Sequence, residues 1–313
     1  MGERPLDLTG RLLRLTVAGV IAAATAVATA GGAGAAPRAA AADGPGKIAY
    51  TSLTEEYGQG EQITVVDMAT LTRTVLPTPD GYDSAEAPDI SPDGSQIVFT
   101  AVKDYAAELW VMNIDGTGAH RITAFWDGRY NPRDEPAWMP DGTHVVFPAY
   151  DSQAGVNKLF EVGVAGGAAP EPLPVDGDVS TVDNLSVAPD GTIAYVTSPA
   201  SSGYDVWLRE PDGERHLLVR SARDPAFSAD GSKIYLAKGG EADQIYSATR
   251  DGVLTQVTTD PHTHGAPAPS PDDQAVAYRK VSDCPRVYVL RAGVETRVSG
   301  ETECMSGLSI DWR

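Results

Sequence analysis

The chain has 313 residues and carries 43 Asp plus Glu against 24 Lys plus Arg, a formal net charge of -19 at pH 7. That acid excess argues against nucleic acid and anionic membrane surfaces as ligands. It is compatible with cation binding, although acidic turns that keep an exported protein soluble account for it as well.

The first element in chain order is an address. Arg11 and Arg14 precede an apolar stretch from Leu15 to Ala30, followed by Gly, Ala and Pro, with small-residue sites at Ala28-Thr29-Ala30 and Ala40-Ala41-Ala42. This is the layout of a secretory signal; a retained anchor is the alternative, disfavoured because the stretch is alanine-rich and under twenty residues. Residues 1–42 are therefore assigned to a signal peptide and spacer, and 43–313 to one domain with 20 basic and 41 acidic residues.

Gly46-Lys47-Ile48-Ala49-Tyr50 opens that domain as a strand. The motif Ser91-Pro92-Asp93-Gly94 follows and then recurs as Met139-Pro140-Asp141-Gly142, Ala188-Pro189-Asp190-Gly191, Ser228-Ala229-Asp230-Gly231 and Ser270-Pro271-Asp272-Asp273. Successive aspartates lie 48, 49, 40 and 42 residues apart, the period of a four-stranded propeller blade. After each turn comes a short apolar run such as Gln96-Ile97-Val98-Phe99 or Lys233-Ile234-Tyr235-Leu236, which reads as a strand. A third run follows, such as Leu109-Trp110-Val111-Met112, then an Asp-Gly turn and a fourth strand. At the end, Leu308-Ser309-Ile310-Asp311-Trp312 reads as a strand that should precede a turn, with Trp312 in the place of Trp138 and Phe227. The two ends fit each other, so the C-terminal strand is expected to complete a first blade begun at Lys47, closing a six-bladed all-β propeller and removing its open edges. The 271 residues from 43 to 313 then give about 45 per blade.

These repeats resemble the TolB-type propeller repeat, whose pattern runs Pro-x-aromatic-Ser-Pro-Asp-Gly, two apolar strands, Asp-Gly and Leu-Thr; Asp134 to Gly142 is the closest copy. The resemblance covers nearly everything after the N-terminal segment. It implies an exported monomeric module that binds a protein, peptide or envelope ligand, without the N-terminal domain that TolB itself carries before its propeller. Propellers that belong to peptidases add a hydrolase domain with a Gly-x-Ser-x-Gly elbow, and neither that motif, a phosphate loop nor a His-Glu-x-x-His site occurs here. The alternative class is a calcium-dependent lactonase or esterase that would hold its metal in the channel.

Aligning the copies just before each innermost strand puts Glu86, Asp134 and Asp183 in one register and Glu135, Asn184 and Asp224 in the next, with Arg223 and Gly265 interrupting the acid ring. Such residues would meet near one mouth of the channel, where converging oxygens could serve calcium or a polar ligand, or simply pair with neighbours. His262 and His264 alternate on an extended segment and would face one side, a weak metal signal. Cys284 and Cys304 are the only cysteines; in an exported chain they are expected to form a disulfide that fastens the ring closure, with free buried thiols as the alternative. Loop aromatics Tyr57, Tyr82, Tyr105, Phe125, Trp126 and Tyr130 are candidates for a recognition patch, or for cover over neighbouring blades.

Overall fold

The computed structural model describes residues 46–53, 60–123, 130–132, 135–153, 155–173, 182–198, 203–240 and 242–313. The N-terminal address, Tyr57, Phe125, Trp126 and Asp134 lie outside these residues.

Six antiparallel sheets succeed one another along the chain. Blade 2 is the plainest, with strands Ser84–Ile90, Gln96–Lys103, Ala106–Asn113 and His120–Arg121 ordered from the inside outward. Blades 4, 5 and 6 repeat it from inner strands Val182–Val187, Ala222–Phe227 and His264–Pro269. In blade 3 the inner position is shared by Tyr130–Pro132 and Ala137–Trp138, both paired with His144–Asp151.

Blade 1 is composite, as the two chain ends predicted. Cys304–Trp312 pairs antiparallel with Lys47–Leu53, with Ile48 opposite Trp312, Ala49 opposite Asp311 and Tyr50 opposite Ile310. Arg313 N–H donates to Lys47 O at 3.0 Å, extending the ladder one residue beyond the strand. The closing strand starts four residues earlier than Leu308, because Gly307 at φ 71° makes a bulge that lets Met305 and Cys304 resume pairing with Ser52 and Leu53.

The recurrent turn explains its own sequence. In the first copy Gly94 N–H donates to Ser91 O at 2.8 Å, with Gly94 at φ 73°. Asp93 Oδ1 accepts from the Ser95 N–H and the Ser91 hydroxyl, and Ser91 Oγ accepts from Gln96 N–H, the first residue of the next strand. The same pair recurs at Ser228 and Asp230 and at Ser270 and Asp272. Serine and aspartate thus satisfy backbone donors that the hairpin leaves over.

Between blades, apolar side chains meet face to face at every joint of the ring. Ile63, Val65 and Leu76 of blade 1 pack on Ile97, Phe99 and Met112 of blade 2, and Val98 and Val111 of blade 2 on Phe147 and Phe160 of blade 3. The sixth joint, between blades 6 and 1, buries Ala277, Val287 and Val289 against Tyr50, Met305 and Trp312. Burying a side chain such as Phe99 or Phe147 contributes roughly 1.5–3 kcal/mol, so each joint is a core of its own. The Cys284–Cys304 disulfide, with a Cα–Cα distance of 5.1 Å, ties a blade 6 hairpin to the start of the closing strand.

Candidate functional site: the channel and the loop face

Alternating strand direction puts the Ser-Pro-Asp-Gly turns of blades 2 to 6 on one face. The hairpins between second and third strands, and the blade-to-blade connections, lie on the other. The inner strands line the axis between them, and those of blades 2, 4, 5 and 6 are kinked at an equivalent place. Ala87, Asn184, Asp224 and Ala266 have φ of 53, 34, 53 and 48°, and pairing with the second strand slips there. Pro88, Pro225 and Pro267 follow three of these kinks and Pro136 occupies the same register. A proline has no N–H to leave unpaired on an inner edge, so these positions close the channel without exposing a template for further strands.

At the penultimate residue of three inner strands stands a set of cross-blade staples. Asp311 Oδ2 accepts from Ile90 N–H of blade 2 at 2.9 Å, and Asp89 Oδ2 accepts from Trp138 N–H of blade 3 at 2.8 Å. Ser186 Oγ accepts from Phe227 N–H of blade 5 at 3.1 Å, and Trp138 Nε1 adds a bond to Asp89 O. The Arg313 side chain stands beside this ring, its Nε 3.7 Å from Asp311 Oδ2. Burial, and then the negative charge of Asp311, push the Asp89 carboxyl well above the usual range, against the opposing pull of Arg313. The enclosed space is about 60 Å³, room for a few waters and several-fold less than a pocket for an organic substrate.

The sequence-predicted residues are dispersed around this axis. Glu135 and Asp224 line the cavity. Asp224 Oδ2 accepts from Ala266 N–H of blade 6 at 3.0 Å while Oδ1 is buried without a hydrogen bond, and burial raises its pKa. Glu86 accepts from the Ser84 hydroxyl, and Asp183 from the Asn157 amide; neither lines the cavity, nor does Asn184. Arg223 is paired with Asp243 on the third strand of its own blade. His264 is fully buried behind the inner strand of blade 6, with Nε2 3.3 Å from Asp260 Oδ2. Asp89, Asp311 and Arg313 were the residues that register reading passed over. Their signal was an aspartate in the penultimate place of two inner strands, with Ser186 in the same place in a third.

On the loop face, Tyr82 covers Trp110 edge-on and its hydroxyl donates to Glu108, a packing role. Tyr105 is different: it is 99% exposed, at φ 65° in the hairpin of blade 2. Tyr150 and Tyr204, at the corresponding hairpins of blades 3 and 4, are also exposed, as is Leu53 in blade 1. Tyr150 is the one exposed position of His144–Asp151, between buried Ala149 and Asp151.

Fold and axis together define a six-bladed β-propeller closed by a composite blade. Its sequence matches the family described as the TolB beta propeller domain over residues 36–196, more than half of the chain. The chain belongs to that family. TolB from Acinetobacter baumannii superposes with a TM-score of 0.68 at 16% identity, over 85% of this chain and 66% of that one. A TolB-like protein from Agrobacterium tumefaciens gives 0.65 at 18%, over 78% and 90%; at such identities the likeness shows the fold alone. The uncharacterized peptidase YuxL of Bacillus subtilis is 22% identical over 201 residues, 62% of this chain. The chain spans only 29% of that relative's length.

Proposed function

We propose that this protein is an exported binding module whose loop face recognises a protein or peptide in the cell envelope or outside the cell. The observation that carries the reading is the set of exposed tyrosines on the hairpins of three consecutive blades, Tyr105, Tyr150 and Tyr204. Tyrosine offers a large contact surface for little conformational entropy and is enriched in binding hot spots. A bulky side chain held in the left-handed region, as Tyr105 is, costs free energy that packing of its own ring does not offset. Export is supported by the N-terminal address in the sequence and by a disulfide, which suits an oxidising compartment. The lactonase alternative is less well supported, since the channel acids are engaged with neighbouring backbone and the enclosed volume is small.

The test is cross-linking capture from the envelope fraction, comparing the unaltered chain with a Y105A/Y150A/Y204A variant that melts at the same temperature. The reading requires at least one partner whose recovery falls about ten-fold or more in the variant, in line with hot-spot losses. Equal recovery of every partner would refute it.

A further inference from the structure

Away from the axis, where the connection from blade 5 enters blade 6, Asp260, His264 and Glu295 present one ligand atom each within 4.8 Å of one another. We propose that these three residues form a divalent transition-metal site, zinc being the natural occupant, in which the ion competes with the ammonium of Lys280. The site goes beyond the binding role above and does not depend on it.

Four observations carry the proposal. The imidazole of His264 is fully buried, and its Nε2 has no hydrogen bond although it stands 3.3 Å from Asp260 Oδ2. That separation already matches the roughly 3.4 Å between neighbouring donors around a tetrahedral zinc with bonds near 2.0–2.1 Å. The outer partners are those that metal-bound groups use. His264 Nδ1 faces Thr258 Oγ1 at 3.4 Å, so an Nδ1–H there leaves the Nε2 lone pair for the ion. Asp260 Oδ1 is held by the N–H and Nδ1 of His262, which leaves Oδ2 pointing inward. His262 is thus an outer partner rather than a second imidazole ligand.

Charge is the third observation. Lys280 Nζ sits 2.8 Å from Asp260 Oδ2 and 3.1 Å from Glu295 Oε2, bridging both carboxylates. One ammonium against two carboxylates leaves the cluster one charge short of neutrality, and the ammonium directs its hydrogen bonds at the carboxylates, leaving the Nε2 lone pair uncapped. A divalent ion does both. Nitrogen with carboxylate oxygen is the donor set zinc accepts, and two partly exposed carboxylates leave a position for water. Fourth, Lys280 has somewhere to go, since its Nζ already lies 5.3 Å from the centre of the Tyr288 ring, where a cation is favourable. Loaded, the site would clamp the connection Asp260 belongs to onto the outer strand Val294–Arg297.

The experiment is calorimetric titration of zinc chloride into the chelator-treated full chain, alongside K280Q, E295Q and D260N. One equivalent is expected to bind the unaltered chain, about ten-fold or more tightly in K280Q, which removes the competing ammonium, and about ten-fold or more weakly in E295Q and D260N. Both weakened variants alter partly exposed side chains, and circular dichroism at the titration temperature confirms that each is folded. Absence of a stoichiometric site in the unaltered chain overturns the proposal. So does a site whose affinity is the same in E295Q and D260N, which would place the zinc elsewhere on the acidic surface.

Discussion

Replacing both cysteines in a C284S/C304S variant isolates what the disulfide adds to ring closure. The bridge spans 20 residues of sequence, and the loop-entropy relation for a loop of that size gives about 3 kcal/mol at 25 °C. Native contacts at the same place survive the change. Met305 N–H still donates to Pro285 O at 2.7 Å, and Arg286 Nη1 still reaches the carbonyls of Gly300 and Glu303. The folded ring therefore has no reason to open, and the cost falls on the unfolded chain, which regains freedom. For a domain of this size about 2 °C of melting temperature accompanies each kcal/mol, so the variant should melt about 6 °C lower in differential scanning calorimetry. Reductant should lower the unaltered chain by a similar amount and leave the variant unmoved. A shift below about 1 °C in both comparisons would refute the reasoning, because it would mean that the segment is equally constrained without the bridge.

The channel staples make further predictions. D89A strips the acceptor from Trp138 N–H and should cost about 1–3 kcal/mol in denaturant melts, whereas D89N, which mimics the protonated acid, should cost far less. The Asp89 carboxyl is raised in the folded state, so the stability it contributes is present at low pH and is lost as pH rises from about 3.9, the unfolded value, through the folded one; D89N should flatten that slope. The turn aspartates act with the opposite sign. Asp93 is lowered chiefly by the Ser91 hydroxyl and Asp230 chiefly by the Ser232 N–H, so their contribution is present above about 3.9 and lost as pH falls through the folded values. D93A and D230A should each lower the melting temperature at pH 7, by an amount that shrinks as the pH falls below about 3.9.

The blade count and the closing strand were legible because they rest on local chemistry that repeats, and the disulfide because the chain holds only two cysteines. A Ser and an Asp two residues apart bond the same hairpin donors in three of the five copies, and the Asp alone caps the turn in the other two. The channel was less legible, because its contacts join residues some 50 or more than 200 positions apart, as Asp89 to Trp138 and Asp311 to Ile90 are. Shared register alone put Glu86 with Asp183, yet Glu86 bonds Ser84 within its own strand and Asp183 bonds Asn157 of the preceding blade, and neither lines the cavity. No residue type announces the inner-strand kink, since alanine, asparagine and aspartate all adopt it here. The cluster of Asp260, His264, Lys280 and Glu295 was half legible: the histidine was noticed, but its partners come from three other places in the chain.

Two departures from the turn motif compensate each other, and that yields an ordering of variants. In the fourth copy Ala229 stands where the other four copies have proline, so it carries an N–H; in the fifth, Asp273 stands where the others have glycine. Asp273 Oδ1 accepts from Ala229 N–H at 2.8 Å, joining blade 6 to blade 5. Space follows the same logic. A Cβ on Gly231 would come within 3.0 Å of the Pro189 ring of the preceding blade, whereas Ala229 has no ring to meet the side chain of Asp273. The price is backbone strain, since Asp273 sits at φ 54°, which costs a residue with a Cβ roughly 1–2 kcal/mol, less for Asp and Asn. D273N keeps both the tolerance and an acceptor and should melt within about 1 °C of the unaltered chain. D273G relieves the strain but leaves Ala229 N–H without its partner, losing roughly 1–3 kcal/mol. D273A keeps the strain and loses the bond, so it should be the least stable of the three. If D273A proved as stable as D273N, the hydrogen bond would contribute nothing to the joint, and the pairing of the two departures would be coincidence.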